Sequence, residues 1–456
     1  MKTGNRLRLW TWIALSLVAG VAVALAAAPI RASAAGGELS TLPCATAITS
    51  REDPGFQALP GAKAYFGDYA GGMYRFEVPD AWNGALVLVM HGTNFGTTMS
   101  FGGGASNVFS ARPELREYFI KHGFAWGAST YKCNGYMPGI GLTDTALLKP
   151  LFQEVTARAP SRHYLVGSSM GGFQTHLAMH EFPTLFDGAL AMCAINSVTW
   201  DFQVAAGAAA EYITGLRFSN PATVASTQNQ MVAITGLPGS LTQKGIQFAS
   251  VLINISGGPR PFAMEGLAVP FATASTSYQF NMSGAVLAGS TTVGSLTRGN
   301  AGWKYSIAPG LGLTAAELDA NVRRVSPNPA LWQVFPETRP LDGMIERPVI
   351  TLHTTGDMVV PISNQQVLQR AVDAAGRSDL LVQRIIRAPG HCTFSGQEQV
   401  QAFADLVTWV VAGVRPEGDN VLGDLSDAGR KFTNPLRPGD PGGIQAPSSP
   451  QVTTAP

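Results

Sequence analysis

From residue 62 to residue 193 the chain alternates short apolar runs with longer amphipathic ones. Met73–Val78 alternates apolar and polar positions, as a strand with one buried face does. Ala85–Met90 (ALVLVM) is apolar at every position, the pattern of a strand covered on both sides. Phe124–Thr130, His163–Gly167 and Gly188–Cys193 read as further strands, with a helix over about Leu142–Ala157. Strands that alternate with helices need crossover connections. The pattern therefore predicts an α/β fold, a mostly parallel central sheet flanked by helices on both faces.

The rhythm stops between residues 196 and 340, a stretch rich in Ala, Gly, Ser, Thr and Phe that carries Trp200, Trp303 and Trp332. It resumes at Pro348–Leu352, with a helix over Gln365–Ala375, a strand over Leu380–Ile386 and a helix over Gln397–Val411. Ser363-x-x-Gln366 and Ser395-x-x-Glu398 have the spacing of capping boxes and predict two helix starts. The expected organisation is a core over 35–195 and 341–432, with a large cap or lid inserted at 196–340. Residues 433–456 are rich in Pro, Gly and Ser and are expected to be a disordered tail.

Lys2, Arg6 and Arg8, the apolar run Leu9–Pro29 and Ala32-Ser33-Ala34 follow one another as in a secretory signal peptide, over 1–34, with cleavage after Ala34. A retained anchor is the competing reading, since the run approaches the ~20 residues that span a bilayer. The small-residue site favours cleavage, hence a secreted protein without stable membrane insertion. Export permits disulfides among Cys44, Cys133, Cys193 and Cys392. Their spacing contains no C-x-x-C pair and so resembles no zinc site. Cys133, Cys193 and Cys392 all follow apolar strands, and a parallel sheet gathers such positions at its carboxyl end. The expected pairing is Cys193 with Cys392, leaving Cys44 for Cys133. A buried free thiol at Cys193 is the alternative.

Composition narrows the function classes. With 31 basic and 30 acidic residues the net charge is +1, which offers no field for a phosphate backbone and argues against nucleic acid as a partner. Charged residues reach 13 %, about half the usual ~25 %, so a large share of the surface must be uncharged.

The strongest chemical signal is Gly167-Ser168-Ser169-Met170-Gly171-Gly172, directly after the strand HYLV and before an amphipathic stretch. G-x-S-x-G in that context makes a sharp turn that lifts a serine above the sheet, and the glycine frame selects Ser169 over Ser168. A serine hydroxyl needs a base that is oriented by a third group. On such a scaffold the chain order is serine, then an acid, then histidine. His353 and His391 are the histidines that follow the interruption. Asp357 stands in the turn Thr354-Thr355-Gly356-Asp357, and His391 in the later loop Pro389-Gly390-His391-Cys392. The order makes Asp357 the acid and His391, rather than His353, the base. Asp187, Asp201 and Asp342 are alternative acids that fit turns or surface roles better. His91-Gly92-Thr93, after ALVLVM, supplies the second oxyanion amide: Thr93, with Gly92 as the alternative, beside the amide of Met170. His91 then orders that loop. His176 and His180 lie four apart but lack the Glu of H-E-x-x-H, so no metal site is expected there. His163 and His122 read as element ends.

Taken in order, HGT, GSSMGG, TTGD and PGHC give a chain that resembles the α/β-hydrolase superfamily over roughly residues 60–195 and 340–415. Ser169 with His391-Cys392 is further similar to tannases and feruloyl esterases, in which a cysteine immediately before the nucleophile is bridged to one immediately after the histidine. Here position 168 is serine, so that bridge has no first half. The resemblance implies a serine esterase that works without a metal or organic cofactor on a small or polymeric ester. The weakly charged, aromatic-containing cap suggests an apolar or aromatic ester group. A serine peptidase or an acyltransferase shares every motif, and a non-catalytic binding protein is the alternative of another class.

Overall fold

The computed structural model describes residues 44, 46–101, 113–269, 283–284, 286–287, 297–333 and 338–440. The expected signal segment and residues 441–456 of the expected tail lie outside them. The strands are β1 (Ser50–Arg51), β2 (Ala62–Tyr69), β3 (Gly72–Pro79), β4 (Ala85–Met90), β5 (Thr98–Met99), β6 (Ala125–Ser129), β7 (Arg162–Ser168), β8 (Gly188–Met192), β9 (Val349–Gly356) and β10 (Leu381–Pro389). Eight of them form one sheet in the order β10-β9-β8-β7-β4-β6-β3-β2. Only β3 runs against its neighbours, pairing antiparallel with β2 and β6, and every other pair is parallel.

The all-apolar β4 sits inside this sheet between β6 and β7, and both of its faces are used. Val87 and Val89 point into one cluster with Trp126, Tyr164, Leu190 and Leu352, closed by Leu115 and Phe119 of the helix Pro113–Lys121 and Phe403 and Leu406 of the helix Gly396–Ala412. Leu86, Leu88 and Met90 point into the opposite cluster, closed by Leu151 and Phe152 of the helix Pro138–Thr156 and Met179 of the helix Met170–Glu181. The period-two alternation thus serves two cores at once. By contrast β2 (AKAYFGDY) is an edge strand with five positions partly buried and three exposed, so its pattern is diluted.

Between β8 and β9 the chain leaves the sheet and becomes largely helical. The helix Ser197–Thr214 is buried along nearly its whole length. Its Ala205, Ala206, Ala208, Ala209 and Ala210 let Phe248, Val251 and Leu252 of the helix Gln243–Ile255 approach closely. Asp201 on this helix is buried against Arg298, which it meets through both carboxylate oxygens.

Two sequence expectations need correction. The Ser395–Glu398 capping box forms, with Glu398 N donating to Ser395 Oγ (3.1 Å) and Ser395 N to Glu398 Oε2 (2.7 Å). The Ser363–Gln366 box does not. Ile362 already has helical dihedrals (φ −59°, ψ −19°), which makes Ser363 the first helical residue and leaves its buried Oγ without a partner. The tail also does not begin at residue 433. Arg387 on β10 is buried and needs compensation, and Asp440 supplies it at 2.9 Å while itself fully buried. Thr433 Oγ1 accepts from Arg387 N (2.7 Å), and Arg437 pairs with Glu398 at 2.6 Å. Two buried charged residues, Arg387 and Glu398, thus hold residues 433–440 in spite of their composition.

Arg387 has a second carboxylate partner, the exposed Asp427 at 2.8 Å, so removing Asp440 takes away the buried half of its compensation, at a cost of about 2 kcal/mol. Asp440→Ala should therefore lower the urea and thermal midpoints clearly. Midpoints equal to those of the wild type would show that residues 433–440 add nothing to the fold.

Candidate active site

β7 ends at Ser168 and the next helix begins at Met170, so Ser169 alone makes the turn, at φ 57° and ψ −117°. This is a left-handed conformation that a residue with a side chain adopts only when its surroundings force it. The glycines show the forcing. A Cβ on Gly167 would lie 2.1 Å from Gly171 O, one on Gly171 2.0 Å from Met90 O, and one on Gly172 2.6 Å from Met192 O. Helix and strands therefore meet backbone to backbone beneath the serine.

Three separate strand ends bring the other groups to it. His391, just beyond β10, places Nε2 2.9 Å from Ser169 Oγ. Its Nδ1 lies 2.6 Å from Oδ2 of Asp357, just beyond β9. Asp357 is fully buried, and its Oδ1 accepts from Val359 N and Val360 N at 2.9 Å each. Both carboxylate oxygens are thus fixed, which leaves the imidazole one orientation.

His353 packs beside Asp357. Its Nε2 lies 2.8 Å from Val360 O and its Nδ1 3.3 Å from Gln365 Nε2, with Asp357 Oδ2 at 4.0 Å. Burial holds its pKa down at about 4, so it stays neutral. Behind the same loop, buried Arg260 donates to Thr355 O at 2.6 Å. Nothing in the sequence pattern marked Arg260.

Gly92 and Thr93 come from the loop after β4 and border the serine; a Cβ on Gly92 would be 3.2 Å from Ser169 Cβ. His91 orders this loop. Its Nδ1 lies 2.7 Å from Gly92 O and its Nε2 3.3 Å from Thr130 O, with the ring stacked 4.0 Å from that of Tyr131. Burial pushes the His91 pKa down. The buried hydroxyl of Thr93 has no protein partner.

Cys193, the residue after β8, is bonded to Cys392, the residue after His391, and Cys44 is bonded to Cys133. Cys193, His391 and Cys392 form the one cluster of possible metal ligands among the described residues, and its two sulfurs are consumed by the bridge. The remaining candidates lie elsewhere. Asp187 accepts from His163 N, Asp201 pairs with Arg298, and Asp342 lies 3.5 Å from the half-exposed His180. His122 stacks on Tyr118. His176 is buried with neither ring nitrogen partnered, and burial pushes it down to about 4.

A strand order with one antiparallel member near its edge, and a strained serine between a central strand and its helix, decide the architecture. The fold is that of the α/β-hydrolases. No family model matches the chain, and no curated protein matches it. Among solved structures it is similar to feruloyl esterase B from Aspergillus oryzae, with 15 % identity, 77 % of this chain and 81 % of that one covered, and a TM-score of 0.40. It is likewise similar to an esterase from Pyrococcus furiosus, with 10 % identity, coverage of 80 % and 98 %, and a TM-score of 0.40. A third is an acylaminoacyl peptidase from Pyrococcus horikoshii, with 11 % identity, coverage of 80 % and 44 %, and a TM-score of 0.41.

Beside Ser169 opens a cavity of about 210 Å³. Gly92, Thr93, Ser169, His391 and Thr199 line it together with the largely apolar Phe95, Tyr136, Ile195, Trp200, Val359 and Val360. The apolar ones carry no motif, and only their fold neighbours reveal them.

His176 generates a pH prediction. A pKa lowered from 6.5 to about 4 means that the unfolded chain binds the proton first. Its contribution is therefore lost as pH falls from about 6.5 towards 4. His176→Leu should lose less stability across that window than the wild type, by about 2 kcal/mol in urea titrations. Parallel pH profiles for the two proteins would contradict this.

Proposed function

We propose that the protein is an exported serine hydrolase that cleaves carboxylic esters through an acyl-enzyme intermediate. The observation that carries this reading is the continuous chain Ser169 Oγ, His391 Nε2, His391 Nδ1, Asp357 Oδ2, at 2.9 and 2.6 Å. In this reading Ser169 Oγ attacks the ester carbonyl while His391 takes its proton. Asp357 holds the tautomer with Nδ1–H facing it and stabilises the imidazolium that forms. The amides of Met170 and Thr93 receive the negative charge on the carbonyl oxygen. The alcohol leaves with the proton from His391, and a water deprotonated by His391 releases the acid. No metal and no organic cofactor enter these steps.

The two disulfides favour an oxidising compartment, in keeping with a signal peptide over 1–34. No described helix is long and apolar enough to cross a membrane. The apolar walls of the cavity favour an uncharged ester group.

The test separates the two adjacent serines. Ser169→Ala should abolish both ester hydrolysis and labelling by a fluorophosphonate, whereas Ser168→Ala should still be labelled. Labelling of Ser169→Ala but not of Ser168→Ala would reverse the assignment. Turnover of peptides with no turnover of p-nitrophenyl esters would make the enzyme a peptidase.

A further inference from the structure

The loop after β4 carries Phe95, which lines the cavity beside Ser169 and is nevertheless 60 % exposed, so its ring stands at the cavity mouth. Among the described large apolar side chains only Val414 is as exposed. One exposed apolar residue needs no explanation by itself. The loop that presents this one, however, is tied down on both sides of it. Asn94 O accepts from Gly135 N (2.8 Å), and the Asn94 side chain accepts from Gly96 N and donates to Thr98 O, both at 2.9 Å. Asn134 Nδ2 donates to Gly96 O and Thr98 O at 2.9 Å each, and the preceding Cys133 is bonded to Cys44. The backbone thus holds an aromatic ring in water at the mouth and forgoes the gain of burying it.

Inside the mouth, the surface that a substrate group can touch is mainly apolar. The hydroxyls of Thr93 and Tyr136 and the indole N–H of Trp200 are closed off from the cavity space, and Thr199 Oγ1 donates to Asn364 Oδ1 (2.9 Å). A cavity of about 210 Å³, set against the ~150 Å³ that holds benzene, takes one ring or a chain of about six carbons. We infer that the enzyme acts on esters whose apolar chain is longer than this cavity, and that the overhanging part lies on the ring of Phe95. This rests on the reading of Ser169 as an ester-cleaving nucleophile. Because the loop is already fixed, the ring has little freedom to lose when the chain covers it. A methylene taken fully out of water gains about fourfold in affinity, and one covered on a single side roughly twofold. Two or three methylenes on one ring face therefore raise kcat/KM about fivefold. The chain belongs to either the acyl or the alcohol side of the scissile bond, and two arms of one experiment distinguish them.

The acyl arm compares p-nitrophenyl hexanoate with the decanoate, and the alcohol arm hexyl acetate with decyl acetate, all below the concentrations at which they aggregate. In at least one arm the longer ester should exceed the shorter by about fivefold in kcat/KM, and Phe95→Ala should bring that ratio close to one. Should Phe95→Ala fail to fold, Phe95→Gln, polar and of similar reach, is read in its place with the same expectation. Ratios at or below one in both arms, or a ratio that the substitution leaves unchanged, would overturn the proposal. Hydrolysis of the shorter esters without a preference for the longer sinks this proposal only. Turnover of no ester at all sinks the esterase reading, and this proposal with it.

Discussion

The left-handed turn at Ser169 is the constraint from which the rest of the site is arranged. A non-glycine residue held there costs on the order of 1–3 kcal/mol and persists only when its surroundings over-determine it. Here they do. Ser169 N donates to Met192 O at 2.9 Å, Ser169 O accepts from Phe173 N and Ile195 N, and Gly167, Gly171 and Gly172 let three backbone segments touch. The serine is thereby fixed to the end of β8 as firmly as to its own strand. Because its position is set by the main chain, the loops after β4, β9 and β10 can be placed against it by their own local hydrogen bonds.

That fixing reaches the proposed base by a short route. Met192, which accepts from Ser169 N, is followed by Cys193, whose sulfur is bonded to Cys392, the residue after His391. Cys193 and Cys392 both have left-handed backbones (φ 44° and 57°), as does Tyr131 (φ 58°) beneath the loop of His91. Strained positions therefore gather at the carboxyl edge of the sheet, where four strand ends converge. Catalysis loses about a hundredfold for misplacements near 1 Å, so a covalent tie between the nucleophile's support and the base's loop bears directly on the chemistry proposed. Asp357 is held differently, by two backbone amides, with the neutral His353 packed beside it.

What was legible in the sequence is whatever local pattern dictates. ALVLVM announces a strand buried on both faces, and the glycines of GSSMGG mark backbone contacts too close for any side chain. The order Ser169, Asp357, His391 follows from the fold's connectivity, although His391 lies 222 residues from Ser169. Features made by tertiary partners were not legible. Residues 433–440 read as a tail because composition says nothing of Arg387, buried on β10 and in need of a carboxylate. Ser363 fails as a cap because the chain enters the helix already helical at Ile362. Arg260 carries no spacing signal, since its place is set by a contact across the chain, with Thr355 O.

The central claim is that Ser169 becomes acylated. Mixing the protein with p-nitrophenyl acetate, quenching in acid within the first turnover and mapping peptides by mass spectrometry tests it most directly. The account predicts one acetyl group per chain, on the peptide that contains Ser169 and absent from it in His391→Ala. An acetyl group found on another residue, or a Ser169 acetylated equally well without His391, would contradict it.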